Sequence, residues 1–475
     1  MADARESVGE LHRAGADASR PRAARMGVVS LCLVQFVDVL GVTVIVTALP
    51  AMLADLRAPA GAASLISAGY AMFFGGLLML GARLGDRLGH RRIIFTGLAI
   101  FAVAAAVGAT ATSAAVLTAA RCLQGAAAAL SVPSALRLLT TITPDGPQRE
   151  RAIAGWSASG AAAGASGFVV GGVVTSLVGW RAVFWAYLPV ALLLAGAIGR
   201  SVPPDRAADR SVRLSLPSVG TFTAAVMAFV VATTLLPERG QAALGAVLAV
   251  VAVALAGLFV AVDRRSAAPL LPRAVLGIRP LRQGAAGALL NTLTTSSAVT
   301  LATLYLQNAR GRSPLAAGLM LLPFSLAVIA GSALAAPLLA RRPPQRLVSA
   351  GLAAIAVSDA GLIPAAGSTW ALPVCVAAGG AGIGLSSVAA TRLGTSVPLP
   401  LRGTASGIIN TAAQLGTALG IAALLLVAAL STGIPESGAP VPVIAWGTAA
   451  LISLIGAIVF GRSSAGRAGC GQPRS

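Results

Sequence analysis

The chain contains no lysine at all; its 35 basic residues are every one arginine. A phosphate-binding loop of the form GxxxxGK[ST] is therefore absent, and with it any ATP-driven pump housed in this chain. Histidine is nearly absent too: His12 and His90 are the only two, which argues against histidine-based catalysis inside the apolar segments. Four cysteines, Cys32, Cys122, Cys375 and Cys470, lie far apart with no CxxC, so they form neither a disulfide framework nor a metal site. Acidic residues number 15, and charged residues make up only 11% of the 475 positions, well below the roughly one quarter of a soluble chain. No metal-ligand cluster or nucleophile–base pair is legible, so the sequence is not read as an enzyme and calls for no cofactor.

What is present is apolar. Hydrophobic residues make up 56%, mean hydropathy is +0.85, and many uninterrupted runs reach the ~20 residues that a bilayer-spanning helix needs. The formal net charge of +20 is spread over short gaps between runs rather than gathered into one patch, so a nucleic-acid partner is not expected. An all-α polytopic membrane protein follows. The runs predict fourteen helices, at 27–50, 64–82, 93–112, 114–142, 151–176, 181–200, 216–236, 241–262, 283–306, 315–340, 347–366, 371–391, 404–431 and 441–461. The run from Gly27 is too long for a cleaved signal peptide and is read as a retained first span.

The arginines test this count. With the N-terminus in the cytoplasm, 29 fall on the cytoplasmic side, and only Arg57, Arg181, Arg239, Arg310 and Arg312 fall outside. Arg121 alone lies deep inside a span. Both termini are thus expected in the cytoplasm, in a multi-pass protein of the cell membrane. Trp180, Trp370 and Trp446 fall near predicted external helix ends, where interfacial aromatics are expected.

The densest charge cluster is "GARLGDRLGHRR", residues 81–92, between spans 2 and 3. Sorting arginines alone would not require Asp86 or glycines at 81, 85 and 89. At an offset of 254, Ala82, Leu84, Arg87, Arg92, Gly97 and Leu98 recur as Ala336, Leu338, Arg341, Arg346, Gly351 and Leu352. This divides the chain into a cytoplasmic tail (1–26), a six-helix half (27–200), a linker with two extra helices (201–282), a second six-helix half (283–461) and a C-terminal tail (462–475).

These features resemble the major facilitator superfamily, in particular its fourteen-span drug:proton antiporter branch. "ARLGDRLGHRR" is similar to that family's loop motif, "RCLQGAAAAL" from Arg121 to its span-4 motif, and "FVDVLGVTVIVTALP" from Phe36 to an acidic span-1 motif. The span-5 segment "GAAAGASGFVVGG" departs from the antiporter pattern, with Phe168 where proline is usual. The resemblance implies a major facilitator fold, two six-helix halves plus two linking helices. It also implies proton-coupled export of lipophilic small molecules such as drugs or antibiotics by alternating access, in a monomer whose partners are the substrate, protons and the bilayer. The departure at Phe168 keeps open proton-linked uptake of a metabolite; a non-transport membrane protein is the remaining alternative.

Site expectations follow. Asp38 and Asp359 are the only carboxylates well inside spans, where an ionisable residue is costly. Asp38 lies about 16 Å into span 1, and Arg121 about 10 Å down from the opposite surface. In a ~30 Å core the two share a depth; both are assigned to proton coupling. Asp359, on peripheral span 11, is expected to have a structural partner or to face a water-filled crevice, with a proton site as the further alternative. Gln35, Gln124, Asn291, Thr295, Asn410 and Gln414 are assigned to the substrate cavity; for the asparagines, Thr295 and Gln414, helix–helix hydrogen bonding is the alternative. Asp86, Arg87, Arg91, Arg92 and Arg137 are assigned to a cytoplasmic gate in which Asp86 sits before the N-terminus of span 3 and pairs with Arg137. Gly160, Gly164, Gly167 and Gly171 share one face of span 5, a packing surface on which the halves could rock.

Overall fold

A computed structural model describes residues 3–468 apart from 60, 145, 205–213, 239, 399–400 and 432–440, and the side chains of 25–463 with few gaps. Arg239, counted above among the external arginines, and Cys470 fall outside the described residues. Every regular element there is helical: α1 (Asp3–Asp55), α2 (Ala62–Leu88), α3 (His90–Ala109), α4 (Ala114–Ile142), α5 (Pro147–Leu177), α6 (Arg181–Ser201), α7 (Leu216–Leu235), α8 (Ala242–Arg265), a one-turn α9 (Arg273–Leu276), α10 (Arg279–Leu304), α11 (Pro314–Leu339), α12 (Pro344–Ala365), α13 (Ala371–Gly394), α14 (Arg402–Ser431) and α15 (Val443–Ala468). Without α9, fourteen long helices match the fourteen expected spans. Helices are what a bilayer permits, because each backbone N–H and C=O finds its partner within the segment.

Thirteen of them are long and apolar enough to cross a membrane, counting α1 from Arg25 and α14 and α15 over 404–431 and 443–463. The exception is α10, which carries "NTLTTSSAVTLAT". Asn291, Thr294, Thr295, Ser297, Thr300 and Thr303 are buried in protein, and hydroxyls return to carbonyls one turn back: Thr294 to Leu290 at 3.1 Å, Ser297 to Leu293 at 2.6 Å and Thr300 to Ser296 at 2.8 Å. A helix surrounded by other helices need not look lipid-compatible.

Helices α1–α6 pack among themselves, as do α10–α15, and the halves meet along two seams, α2 against α14 and α5 against α11. Of the extra pair, α7 lies against α2 and α14, and α8 packs on α7. Calling the side where α1 begins the near side, one apolar cluster bridges both halves on the far side, with Ile45, Met52 and Trp180 of the first half and Leu301, Leu362 and Trp446 of the second. On the near side each half has its own cluster, around Leu31, Ile94 and Leu138 in one and Val348, Leu393 and Phe460 in the other. The α5–α11 seam is tight from Gly172, which abuts Pro314 and Leu315, to the Ser325 hydroxyl, which donates to the Gly164 carbonyl at 2.7 Å. Nearer the near side, Ile329, Leu334 and Ala336 of α11 are exposed. The halves are therefore joined on the far side and part along α5–α11 toward the near side.

Two expectations are corrected here. The four glycines of α5 face α1, not the opposite half: Cβ atoms added at Gly167 and Gly171 would run into Thr43 and Thr47, and one at Gly160 would press on Gln35. The opposite half is met by Gly172 and Phe168 instead. Of the three tryptophans, only Trp370 is exposed (84%); Trp446 is wholly buried against Tyr305, and Trp180 is buried and donates to Asp55 at 3.2 Å. Arg181 also pairs with Asp55 and donates to the Ala111 carbonyl at 2.9 Å, tying α1, the α3–α4 turn and α6 together on the far side.

The loop of residues 81–92 takes a form the runs did not suggest. Helix α2 continues to Leu88, so Asp86 lies in its last turn, and one residue, Gly89 with φ +97°, turns the chain into α3. A side chain is strained at that φ, which accounts for the glycine.

Candidate functional site

Four buried polar side chains from three helices meet in the first half: Asp38 of α1, Tyr70 of α2, and Arg121 and Gln124 of α4. Arg121 is 1% exposed and Gln124 is not exposed at all. Expected to lie at one depth, Asp38 and Arg121 do fall within one cluster, yet they do not pair directly. Tyr70 bridges them. Its hydroxyl donates to Asp38 Oδ1, and its ring lies under the Arg121 guanidinium, 4.5 Å from Cζ to the ring centroid. Arg121 Nη1 donates to Gln124 Oε1 at 2.9 Å, one turn along the same helix.

The segment "RCLQG" explains itself in this geometry. Arg121 supplies the charge, Gln124 fixes one arm of the guanidinium, and Gly125 lets the α2 backbone come close. A Cβ at Gly125 would fall on the Tyr70 carbonyl oxygen. Three donors remain without a partner: Arg121 Nε, Gln124 Nε2 and the hydroxyl of Tyr187 on α6, which lies 3.6 Å from the place of a Cβ at Gly41. Unpaired buried donors are costly, so this site has unused capacity for an acceptor.

Tyr70 was missed because "SAGYAMFFGG" reads as ordinary apolar span. A signal existed: the chain has only three tyrosines, and two of them, Tyr70 and Tyr187, are at this site.

The assigned cavity residues divide. Asn291 is fully buried and donates to Ser386 at 3.1 Å and Ser387 at 3.0 Å, joining α10 to α13. Thr295 is buried and bonds the Asn291 carbonyl of its own helix. Both serve packing. Asn410 is exposed in mid-helix, Gln414 is half-buried with its Cβ against Gly75 of α2, and Gln35 is half-buried near Gly160 with Oε1 unpartnered. Asn410, Gln414 and Gln35 remain available to a solute between the halves. Asp359 is 1% exposed, and its Oδ2 has no hydrogen-bond partner, so the structural partner expected for that oxygen is not there.

At the near-side loop, Asp86 pairs with His90 at 3.1 Å rather than with Arg137, which is exposed. The distance is short because Gly89 folds the last turn of α2 onto the first turn of α3. Arg91 reaches the Gly199 carbonyl at 2.8 Å and lies over Phe95, fastening α3 to the end of α6. Arg87 is half-buried and Arg92 exposed. Arg83 points elsewhere: it donates to the carbonyls of Ala268 and Pro269, both at 2.7 Å. These belong to the strap that follows α8. Asp263 holds the same strap by accepting from the amides of Leu270 at 2.7 Å and Leu271 at 3.0 Å. Beyond it, Leu271 and Val275 pack with Met79 of α2 and with Val397 and Ile408 of the second half. The extra helices are thus fastened to the near end of the α2–α14 seam.

Comparison with known proteins is consistent across most of the chain. A family model described as Major Facilitator Superfamily matches residues 31–421 and 284–469. A cephamycin export protein of Amycolatopsis lactamdurans is 35% identical over 435 residues, covering 89% of this chain and 88% of its own. A puromycin resistance protein of Streptomyces alboniger is 35% identical over 413 residues, covering 84% and 80%. A multidrug efflux pump of Mycolicibacterium smegmatis is 33% identical over 392 residues, covering 80% and 76%.

Proposed function

The chain belongs to the major facilitator superfamily, a transporter rather than an enzyme, and from that membership we propose that it exports lipophilic small molecules of the antibiotic class across the cell membrane in exchange for protons. The export direction is supported by relatives whose names are those of export, resistance and efflux proteins. Both termini lie in the cytoplasm, so the near side is the cytoplasmic side and the conformation described is the one that receives substrate from within. It acts as a monomer.

The observation that carries proton coupling is the buried group of Asp38, Tyr70 and Arg121. A carboxylate and a guanidinium, both nearly sealed from solvent and not closed into a direct pair, form a site where one proton changes the local charge balance. Binding a proton at Asp38 removes the anion facing Arg121; releasing it restores the anion. Alternating access between the two sides then converts proton entry into drug exit. The α2 loop and its Asp86–His90 pair hold the near-side ends of α2 and α3, and the strap bound by Arg83 holds the α2–α14 seam. Asn410, Gln414 and Gln35 contribute polar contacts to the substrate.

The test is transport in proteoliposomes with an imposed pH gradient and a panel of labelled antibiotics and dyes. The wild-type protein accumulates at least one panel compound, and an uncoupler abolishes accumulation. Asp38→Asn loses gradient-driven accumulation while retaining exchange of that compound. Undiminished, proton-dependent accumulation by Asp38→Asn would refute the coupling assignment.

A further inference from the structure

We propose, resting on the proton site assigned above, that Tyr70 is the positioning residue through which the protonation of Asp38 reaches Arg121. The two charged groups never touch; each touches Tyr70, one at its hydroxyl and one at its ring. Titratable groups facing Asp38 are Tyr70 from α2, Arg121 from α4 and Tyr187 from α6. Helix α5, packed along α1, brings none between Ala152 and Leu177. Arg121 therefore has Asp38 as the anion of its neighbourhood, and it reads that anion across a phenol.

The second half of the molecule supplies an internal control. At the offset of 254, Tyr70 corresponds to Phe324 of α11, Asp38 to Thr292 and Arg121 to Cys375. A close helix approach recurs: a Cβ at Gly125 of α4 would strike the Tyr70 carbonyl, and a Cβ at Gly380 of α13, one residue past the counterpart of Gly125, would strike the Phe324 carbonyl. The backbone relation is kept where the chemistry is not. At these three positions carboxylate, guanidinium and phenolic hydroxyl are present together in one half and replaced together in the other. A tyrosine needed only to fill space would not require its hydroxyl; Phe324 has none and turns its ring to Phe168 across the seam instead.

The step itself is simple. A hydronium ion gives its proton to Asp38, leaving water and a neutral carboxylic acid; the phenol keeps its own proton throughout. The Tyr70 O–H then loses a charged acceptor, and a hydrogen bond to a charged group is roughly twice as strong as a neutral one. The phenol is freed to turn. Arg121, with Nε already unpartnered, is left as a buried cation without a counter-ion, an unfavourable state that moving α4 relative to α1 and α2 relieves. Tyr70 thereby links the arrival of one proton to helix motion.

Infrared difference spectroscopy of the full-length protein in lipid, acid minus neutral, tests this without any substrate. The wild type is expected to show a carboxylic C=O band, lost in Asp38→Asn, together with changes in a tyrosine C–O band and in guanidinium bands lost in Arg121→Gln. In Tyr70→Phe, which keeps the ring and its packing, the Asp38 band is expected to persist at a higher frequency, reflecting its lost hydrogen bond. The tyrosine and guanidinium changes are expected to vanish. Tyrosine or guanidinium changes that survive in Tyr70→Phe, or a tyrosine change that survives in Asp38→Asn, overturn the assignment to Tyr70 while leaving the proton site standing. Absence of any band removed by Asp38→Asn overturns the proton site, and this inference with it.

Discussion

Phe168 of α5 and Phe324 of α11 meet edge to face across the seam between the halves, their ring centroids 6.3 Å apart and their planes at 74°. Phe168 stands where the related motif has proline, and it is buried. The Phe168 carbonyl also lies where a Cβ at Gly318 would fall, so the residue closes the far side through ring and backbone alike. Truncating the ring removes contacts that exist only while the far side is shut. With spin labels at Leu177 and Leu319, both exposed, the parent protein is expected to give one narrow distance distribution by double electron–electron resonance. Phe168→Ala is expected to add a second, longer population. An unchanged distribution would show that the ring does not bias the equilibrium.

Gly125→Ala and Gly380→Ala form a matched pair. Each places a methyl group on a carbonyl oxygen of the facing helix, Tyr70 in one case and Phe324 in the other. Overpacking of this kind costs about 1–3 kcal/mol. Both variants should lower the melting temperature by similar amounts in detergent. Only Gly125→Ala, which displaces the bridge between Asp38 and Arg121, should cut gradient-driven transport by tenfold or more relative to exchange. Equal loss of coupling in the two would argue that the defect is general.

Asp86→Asn removes the anion facing His90 across Gly89. The pair is partly exposed, so its contribution to stability is small. Membrane abundance and melting temperature are expected to stay within error of the parent, while export falls at least fivefold because the α2–α3 turn no longer holds its closed form. Normal export at normal abundance would leave Asp86 with no role beyond charge balance.

Arg83→Ala frees the strap carbonyls of Ala268 and Pro269. Hydrogen bonds to a charged group contribute about 1.5–3 kcal/mol each, enough to change local opening more than tenfold. The amides of Leu270 and Leu271, bound by Asp263, should exchange with deuterium at least ten times faster in Arg83→Ala, as they should in Asp263→Asn. Slow exchange in both would mean that the strap is held by its apolar contacts with Met79 and Ile408.

Much of this architecture is a one-dimensional property of the chain. Run length and arginine spacing determined the fourteen helices, because a lipid-facing span must be apolar and backbone in lipid has little choice but helix, and the repeat at an offset of 254 marked the two-half plan. Even the shared depth of Asp38 and Arg121 follows from counting residues along two helices. Rotation of a helix about its axis is a different matter, because it is decided by which neighbours pack against it. Asn291 and Asn410 sit in similar polar stretches, yet one is sealed against Ser386 and Ser387 and the other is exposed. Asp86 met His90 rather than Arg137 because a single glycine, with positive φ, replaced the expected loop. Tyr70 had no mark in the sequence beyond its rarity. Only the close approach of α2 to Gly125 placed its ring under Arg121 and its hydroxyl on Asp38, and such an approach belongs to pairs of helix faces rather than to either helix alone.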